Sequence, residues 1–129
     1  MIFVDSSAWI ALSKPDDINF HKATNWLKSI REDELVTSNM VVIETLGWIR
    51  YKQGKKLALD VAKRLFEVKA ERVTLADEFG ARNLFKKLDG RGVSMIDCTS
   101  MAVMKRRGWR KIFTFDGDFG QAGFEVVPV

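Results

Sequence analysis

The chain has 129 residues, 47% hydrophobic and 29% charged, the profile of a globular domain long enough to bury its own core. No apolar stretch approaches the ~20 residues that a membrane-spanning helix needs, no signal peptide is expected, and the lone Cys98 excludes an internal disulfide and suits a reducing, cytoplasmic setting. A net charge of +4 and a pI near 9.3 favour acidic partners such as nucleic acid, while a single histidine, His21, excludes a paired-histidine ribonuclease mechanism and histidine-rich zinc sites.

Ile2-Phe3-Val4 is a short β-prone run of the kind that makes a fully buried strand. Asp5 ends it, and residues 8–12 read as a helix that Ser6 or Ser7 can cap. Across residues 16–31, Phe20, Ala23, Leu27 and Ile30 keep helical spacing, and residues 34–37 form a strand candidate. Ser38 or Asn39 caps a helix to about Lys52, broken at Gln53-Gly54, and a second helix spans residues 55–69. Residues 72–75 are another strand candidate, and Asp77 caps a helix whose inner face is Ala81, Leu84, Phe85 and Leu88.

After the loop Asp89-Gly90-Arg91-Gly92, Ser94 opens a helix from Met95 to Arg107 that Gly108 stops behind a basic last turn. Residues 111–115 form a strand ending at Asp116, residues 116–120 a turn-rich loop, and residues 124–127 a last strand. No repeat or linker interrupts this order, so residues 1–129 read as one domain. Strands alternating with helices predict an α/β fold, a mostly parallel sheet of four or five strands with helices on both faces.

Asp116 follows its strand as Asp5 follows the first. If those strands are parallel neighbours, both acids lie at the sheet edge where open α/β folds bind ligands. Glu44 is flanked at helical spacing by Met40, Val41, Gly47 and Trp48, none charged, which places it against the protein. The plainer reading is a Glu at the edge of a short apolar helix. Asp97, three residues after Ser94, fits a capping box as well as a site.

Four such acids would repel one another and resist ionisation unless a divalent cation joined them. Carboxylate-only ligation favours Mg²⁺ or Mn²⁺, ions that activate water and stabilise a departing phosphate oxygen. Basic residues cluster at Lys52/Lys55/Lys56, Lys63/Arg64, Lys86/Lys87/Arg91 and Lys105/Arg106/Arg107/Arg110/Lys111. They suit helix C-termini, and those near the acids would hold a nucleic-acid backbone.

Four segments together, Ile2-Phe3-Val4-Asp5-Ser6-Ser7-Ala8, Thr37-Ser38 with Val42-Ile43-Glu44-Thr45-Leu46, Val93-Ser94-Met95-Ile96-Asp97-Cys98, and Ile112-Phe113-Thr114-Phe115-Asp116-Gly117-Asp118-Phe119, resemble the PIN-domain nucleases. The likeness is strongest to the VapC-type toxins of type II toxin–antitoxin pairs. It implies a three-layer α/β/α sandwich and an Mg²⁺- or Mn²⁺-dependent endoribonuclease held in check by a small antitoxin. It also implies a homodimer, to which Trp26 or Trp48 would lend apolar surface unless they lie in the core.

By the same resemblance Asp5, Glu44, Asp97 and Asp116 take the positions of the metal-binding catalytic acids. Thr114 takes that of the hydroxyl residue beside the fourth acid, with Asp118 and Ser6 auxiliary. Asp118, beyond Gly117, has the alternative role of accepting backbone N–H groups from residues 119–121. A catalytically silent PIN-fold module that binds RNA or protein is the competing reading, although such modules typically lose some acids and all four stand here. A haloacid-dehalogenase-type phosphatase would carry a second Asp two residues after Asp5, where Ser7 stands.

Overall fold

The unbroken apolar run Ile2-Phe3-Val4 is buried at all three positions and forms β1 (Ile2–Val4). In the computed structural model, which describes residues 1–129, β1 is the middle strand of a five-stranded sheet. The other strands are β2 (Leu35–Ser38), β3 (Lys69–Glu71), β4 (Lys111–Phe113) and β5 (Glu125–Val127), in the order β3-β2-β1-β4-β5. Every pairing is parallel, with Phe3 opposite Val36 on one side and Ile112 on the other. The helices are α1 (Ser6–Ser13), α2 (Phe20–Leu27), α3 (Asn39–Gln53), α4 (Lys55–Leu65), α5 (Leu75–Lys87), α6 (Met95–Arg107) and α7 (Asp118–Gln121), with a 3₁₀ turn at Glu32–Glu34. None is long and apolar enough to cross a membrane.

The strand alternation divides the core into two layers. Phe3, Val36 and Ile112 point to one face and pack with Met101, Val103 and Met104 of α6. Ile2, Val4, Leu35, Phe113 and Val127 point to the other and pack with Ala8 and Ala11 of α1 and Ala23 of α2. A third cluster joins Val42 and Ile49 of α3 to Ala58, Val61 and Leu65 of α4, and Trp9 touches all three. The α/β/α sandwich is therefore as expected. Trp26 is half-buried with its ring 4.4 Å from that of Phe113, whereas Trp48 is exposed.

Several boundaries differ from the sequence reading, each for a local reason. The helix expected at residues 8–12 begins at Ser6, with Asp5 in the capping position but making no capping hydrogen bond. The helix expected at 16–31 is confined to Phe20–Leu27, because Asp17 accepts the Asn19 N–H and turns the chain before it. The strand expected at 72–75 lies at Lys69–Glu71 instead. Thr74 and Asp77 form a reciprocal capping box that starts α5 at Leu75, and the Val73 N–H goes to Asn39 Oδ1. Helix capping thus overrides the β-prone Val-Thr-Leu run, and Asp77 is the third residue of the helix, not its cap. On α5 Ala81 is buried, but Phe85 faces solvent.

One charged network closes the β3 edge. Arg106 on α6 donates from Nε and Nη2 to the two carboxylate oxygens of Asp77, both at 2.9 Å, and from Nη1 to Glu71 Oε1 at 3.0 Å. Asp77 is buried, and this forked contact holds its carboxyl below the usual range. Removing the guanidinium leaves a buried carboxylate unpaired. With Arg106 itself partly solvated, Arg106→Ala should cost about 2 kcal/mol. A urea titration showing no loss would make this a surface pair of no consequence.

Candidate active site

In the order β3-β2-β1-β4-β5, chain connections run outward in opposite directions from β1 and β4. The cleft beyond the carboxyl ends of those two strands is where such sheets open. Asp5 leaves β1 directly, its N–H bonded to Phe113 O at 3.0 Å. Asp116 follows β4 by three residues; the first of them, Thr114, still extends the ladder through its N–H to Val127 O. The strand expected to reach residue 115 ends early because the Phe115 N–H turns to the Ser7 hydroxyl, at 3.0 Å.

Glu44 comes from the second turn of α3, whose first turn Ser38 caps by accepting the Val41 N–H. Asp97 comes from the first turn of α6. The capping box read there is real: Asp97 Oδ2 accepts the Ser94 N–H and Ser94 Oγ accepts the Asp97 N–H, both at 3.0 Å. That box uses one carboxylate oxygen and leaves the other free, so the cap does not exclude a site role for Asp97.

The four acids share an electrostatic environment. Burial pushes the Asp5 carboxyl up, opposed chiefly by the hydroxyls of Thr114 and Ser7. Glu44 is pushed up to about 6 by burial and then by the charges of Asp5 and Asp97, opposed by the Ser6 hydroxyl. Asp97 is pushed up to about 6 by burial and by Asp5 and Asp116, despite its bonds from Ser94. None of the four meets a Lys or Arg.

Asp5 Oδ1 and Glu44 Oε2 are buried and have no hydrogen-bond partner. Unpartnered carboxylate oxygens among raised carboxyls are what a hard divalent cation satisfies. No three of the acids stand together closely enough, as their side chains lie, to hold a metal ion. Mutually repelling groups stand apart, and Mg²⁺ needs no all-protein cage because it keeps several waters.

The Asp116–Asp118 loop differs from expectation. It carries the short helix α7, and Asp116 Oδ1 accepts the Asp118 N–H at 2.9 Å. Asp118 does not bond the N–H groups of residues 119–121; its carboxylate instead lies over the 89–93 loop. A Cβ on Gly90 would stand 2.7 Å from Asp118 Oδ1, so glycine makes this approach possible. Sequence reasoning passed over Ser7 as anything beyond a cap. Its signal was the Asp-x-Ser spacing at a strand–helix junction.

Much of the basic surface lies away from this edge. Asp97 and Arg106 sit nine residues apart on α6, roughly 14 Å along the axis, and Arg106 and Arg107 are engaged by Asp77, Glu71 and the Trp109 ring. The short 88–94 connection returns the end of α5, with Lys86 and Lys87, to the end of α6 that carries Asp97. The exposed Arg91 lies in that connection.

A five-stranded parallel sheet with acids gathered beyond its two central strands is a PIN-type architecture. Residues 2–125 match the PIN domain family model, and the chain belongs to the PIN-domain family. It is 38% identical over 131 residues, 99% of each chain, to a Mycobacterium tuberculosis protein named 23S rRNA-specific endonuclease VapC20. The crystal structure of VapC20, described as a Sarcin-Ricin loop cleaving toxin, superposes with a TM-score of 0.88 at 34% identity over 96% of each chain. FitAcB from Neisseria gonorrhoeae shares the fold at a TM-score of 0.73 and 18% identity, over 98% of this chain and 96% of its own. PIN nucleases generally use a divalent metal.

The raised carboxyls carry a stability signature. A carboxyl whose folded pKa exceeds its unfolded value binds its proton more tightly in the native state. Native stability therefore falls as pH rises through the window from 4.5 to about 6 for Glu44, and the penalty is complete at neutral pH. In chelator at pH 7, Glu44→Gln should be more stable than the parent by about 1–2 kcal/mol, with the gap closing near pH 4. A variant no more stable than the parent at pH 7 would show that Glu44 bears no penalty from burial and neighbouring charge.

Proposed function

We propose that this chain is an Mg²⁺- or Mn²⁺-dependent endoribonuclease of the cytoplasm, acting on a structured ribosomal RNA loop and restrained by a small antitoxin protein. The observation that carries the reading is the pair of buried, unpartnered oxygens on Asp5 and Glu44, amid four acids with no cationic partner. The RNA class is supported by whole-chain identity to a protein named for 23S rRNA cleavage, and the antitoxin by likeness to a protein described as a toxin. We assign residues 1–129 to a single nuclease domain.

Asp5, Glu44, Asp97 and Asp116 would hold the ion. When bound, Mg²⁺ or Mn²⁺ supplies an activated water and neutralises charge building on the phosphate. Asp5 is held by the Thr114 and Ser7 hydroxyls, at 2.8 and 3.0 Å, and Asp97 by the Ser94 N–H. Asp116 is held by the Thr114 hydroxyl, which accepts its N–H, and by the Asp118 N–H, and Ser6 lies against Glu44. Arg91, exposed between two glycines that approach Asp118, is the cation nearest this edge in the fold that could hold the RNA backbone. A catalytically silent module gains no support, because no acid is missing and none is absorbed into a salt bridge.

Attack by water needs no neighbouring 2′-hydroxyl, so the products should carry 5′-phosphate and 3′-hydroxyl ends. EDTA should abolish cleavage, and His21→Ala should leave it unchanged, since His21 is exposed on α2 with its ring against Phe20. Asp5→Asn should lower the rate by ~100-fold or more without loss of stability in chelator. Cyclic-phosphate products formed in EDTA would sink the mechanism.

Asp116 and Asp118 separate by the same logic. Asp116 lies three residues past β4, but its N–H is tied to Thr114 Oγ1 at 3.0 Å and its Oδ1 accepts the Asp118 N–H, whereas the Asp118 carboxylate rests on a glycine loop. At limiting Mn²⁺, Asp116→Asn should therefore reduce cleavage more than Asp118→Asn, as a ligand on the more rigid element should. The reverse order, with both variants folded, would move the fourth acid to the other side of Gly117.

A further inference from the structure

We propose that Ser7 is a positioning residue of the acid site: its hydroxyl, paired with that of Thr114, selects which oxygen of Asp5 is offered to the cation and links that choice to the segment carrying Asp116. The proposal rests on the metal-site reading above and deepens it, giving the Ser7 hydroxyl that holds Asp5 a part in choosing the oxygen offered to the cation.

The geometry is a triangle of oxygens. Ser7 Oγ lies 3.0 Å from Asp5 Oδ2, Thr114 Oγ1 lies 2.8 Å from the same atom, and the two hydroxyl oxygens are 3.0 Å apart. Each hydroxyl also receives a backbone donor: Phe115 N–H reaches Ser7 Oγ and Asp116 N–H reaches Thr114 Oγ1, both at 3.0 Å. A hydroxyl has one proton and two lone pairs. With an N–H occupying one lone pair on each, both protons are free to converge on Asp5 Oδ2. Two relays, N–H to O–H to carboxylate, thus end on one oxygen and polarise each other. The other oxygen, Oδ1, is left buried and unpartnered.

The two relays are not equivalent. Thr114 is buried and already fixed by its own N–H to Val127 O. Ser7 belongs to α1 and reaches Phe115 across 108 positions of sequence. The Thr114 hydroxyl crosses the same gap to Asp5, and Ser7 adds a second tie between the β1–α1 junction and the β4–α7 segment by accepting the Phe115 N–H. Without it Asp5 Oδ2 keeps one donor of two, the carboxylate gains rotational freedom, and the Phe115 N–H loses its acceptor. Outer partners of this kind typically change metal affinity by roughly 10–100-fold.

The experiment is a calorimetric Mn²⁺ titration of the full chain and its Ser7→Ala, Ser7→Thr, Asp5→Asn and Ser13→Ala variants. It is paired with amide hydrogen exchange at Phe115 in EDTA and with thermal melts. Ser7→Ala should bind Mn²⁺ roughly 10–100-fold more weakly with its melt little changed, and its Phe115 amide should exchange faster without metal. Ser7→Thr should restore both. Ser13→Ala, whose hydroxyl only bonds Ile10 O within α1, should match the parent.

Parental Mn²⁺ affinity in Ser7→Ala, with affinity lost in Asp5→Asn, overturns the role of Ser7 and leaves the metal site standing. A Ser7→Thr protein that protects Phe115 yet binds no better than Ser7→Ala overturns it as well. A parent whose Mn²⁺ binding is unaffected by Asp5→Asn takes down the site reading and this proposal together.

Discussion

Uncompensated negative charge at one edge of a sheet is the constraint on which the rest of this structure turns. Asp5 stands 3% exposed at the end of the central strand, and three further acids lie close enough that Glu44 and Asp97 are raised by their neighbours. Folding without a counter-charge brings these groups together at a cost, and the remainder of the chain supplies the offset. Two apolar layers grip the sheet on both faces. Ser38 and Ser94 cap the helices that deliver Glu44 and Asp97. The Arg106 fork secures the β3 edge and the start of α5. Rigidity accumulates around the site, and the site itself is left electrostatically unresolved.

The legible part of the fold was the part whose local and tertiary demands agree. The apolar run of β1, the Ser94 box and the Gly108 stop of α6 each allow one structure, and the structure has it. β3 was misplaced because edge strands need little hydrophobicity: Lys69 and Ala70 are exposed, so periodicity has nothing to report there. The three residues mistaken for it, Val73, Thr74 and Leu75, are β-prone, but a cap forms across them. Phe85 was taken for core because an aromatic at helical spacing carries no sign of where a helix face stops.

The site was legible in a different way. Asp5 and Asp116 were placed by strand order alone, since parallel neighbours must end at the same edge. Glu44 was marked by uncharged neighbours, a signal of burial rather than of chemistry. What sequence could not show was how individual carboxylate oxygens divide their work. Asp97 spends one on the Ser94 N–H, Asp116 one on the Asp118 N–H, and Asp5 one on two hydroxyls. Such division depends on angles and distances between segments more than a hundred residues apart. No spacing rule encodes it.

The division of oxygens also reconciles two demands that otherwise conflict. A basic chain of net charge +4 draws a polyanion toward itself over distances of a Debye length or so, yet a phosphodiester meeting four carboxylates would be repelled. If each acid were wholly committed to capping or hydroxyl bonds, the edge would be satisfied and inert. If each were wholly free, repulsion would splay the cleft. Committing one oxygen of an acid to the scaffold fixes where its other oxygen stands, while the charge that must be neutralised remains. The exposed cations Lys86, Lys87 and Arg91 come from α5 and its connection rather than from the helices and strand ends that carry the acids. These cations and the carboxylates thus stand on separate elements, and none of the four acids is drawn into a salt bridge.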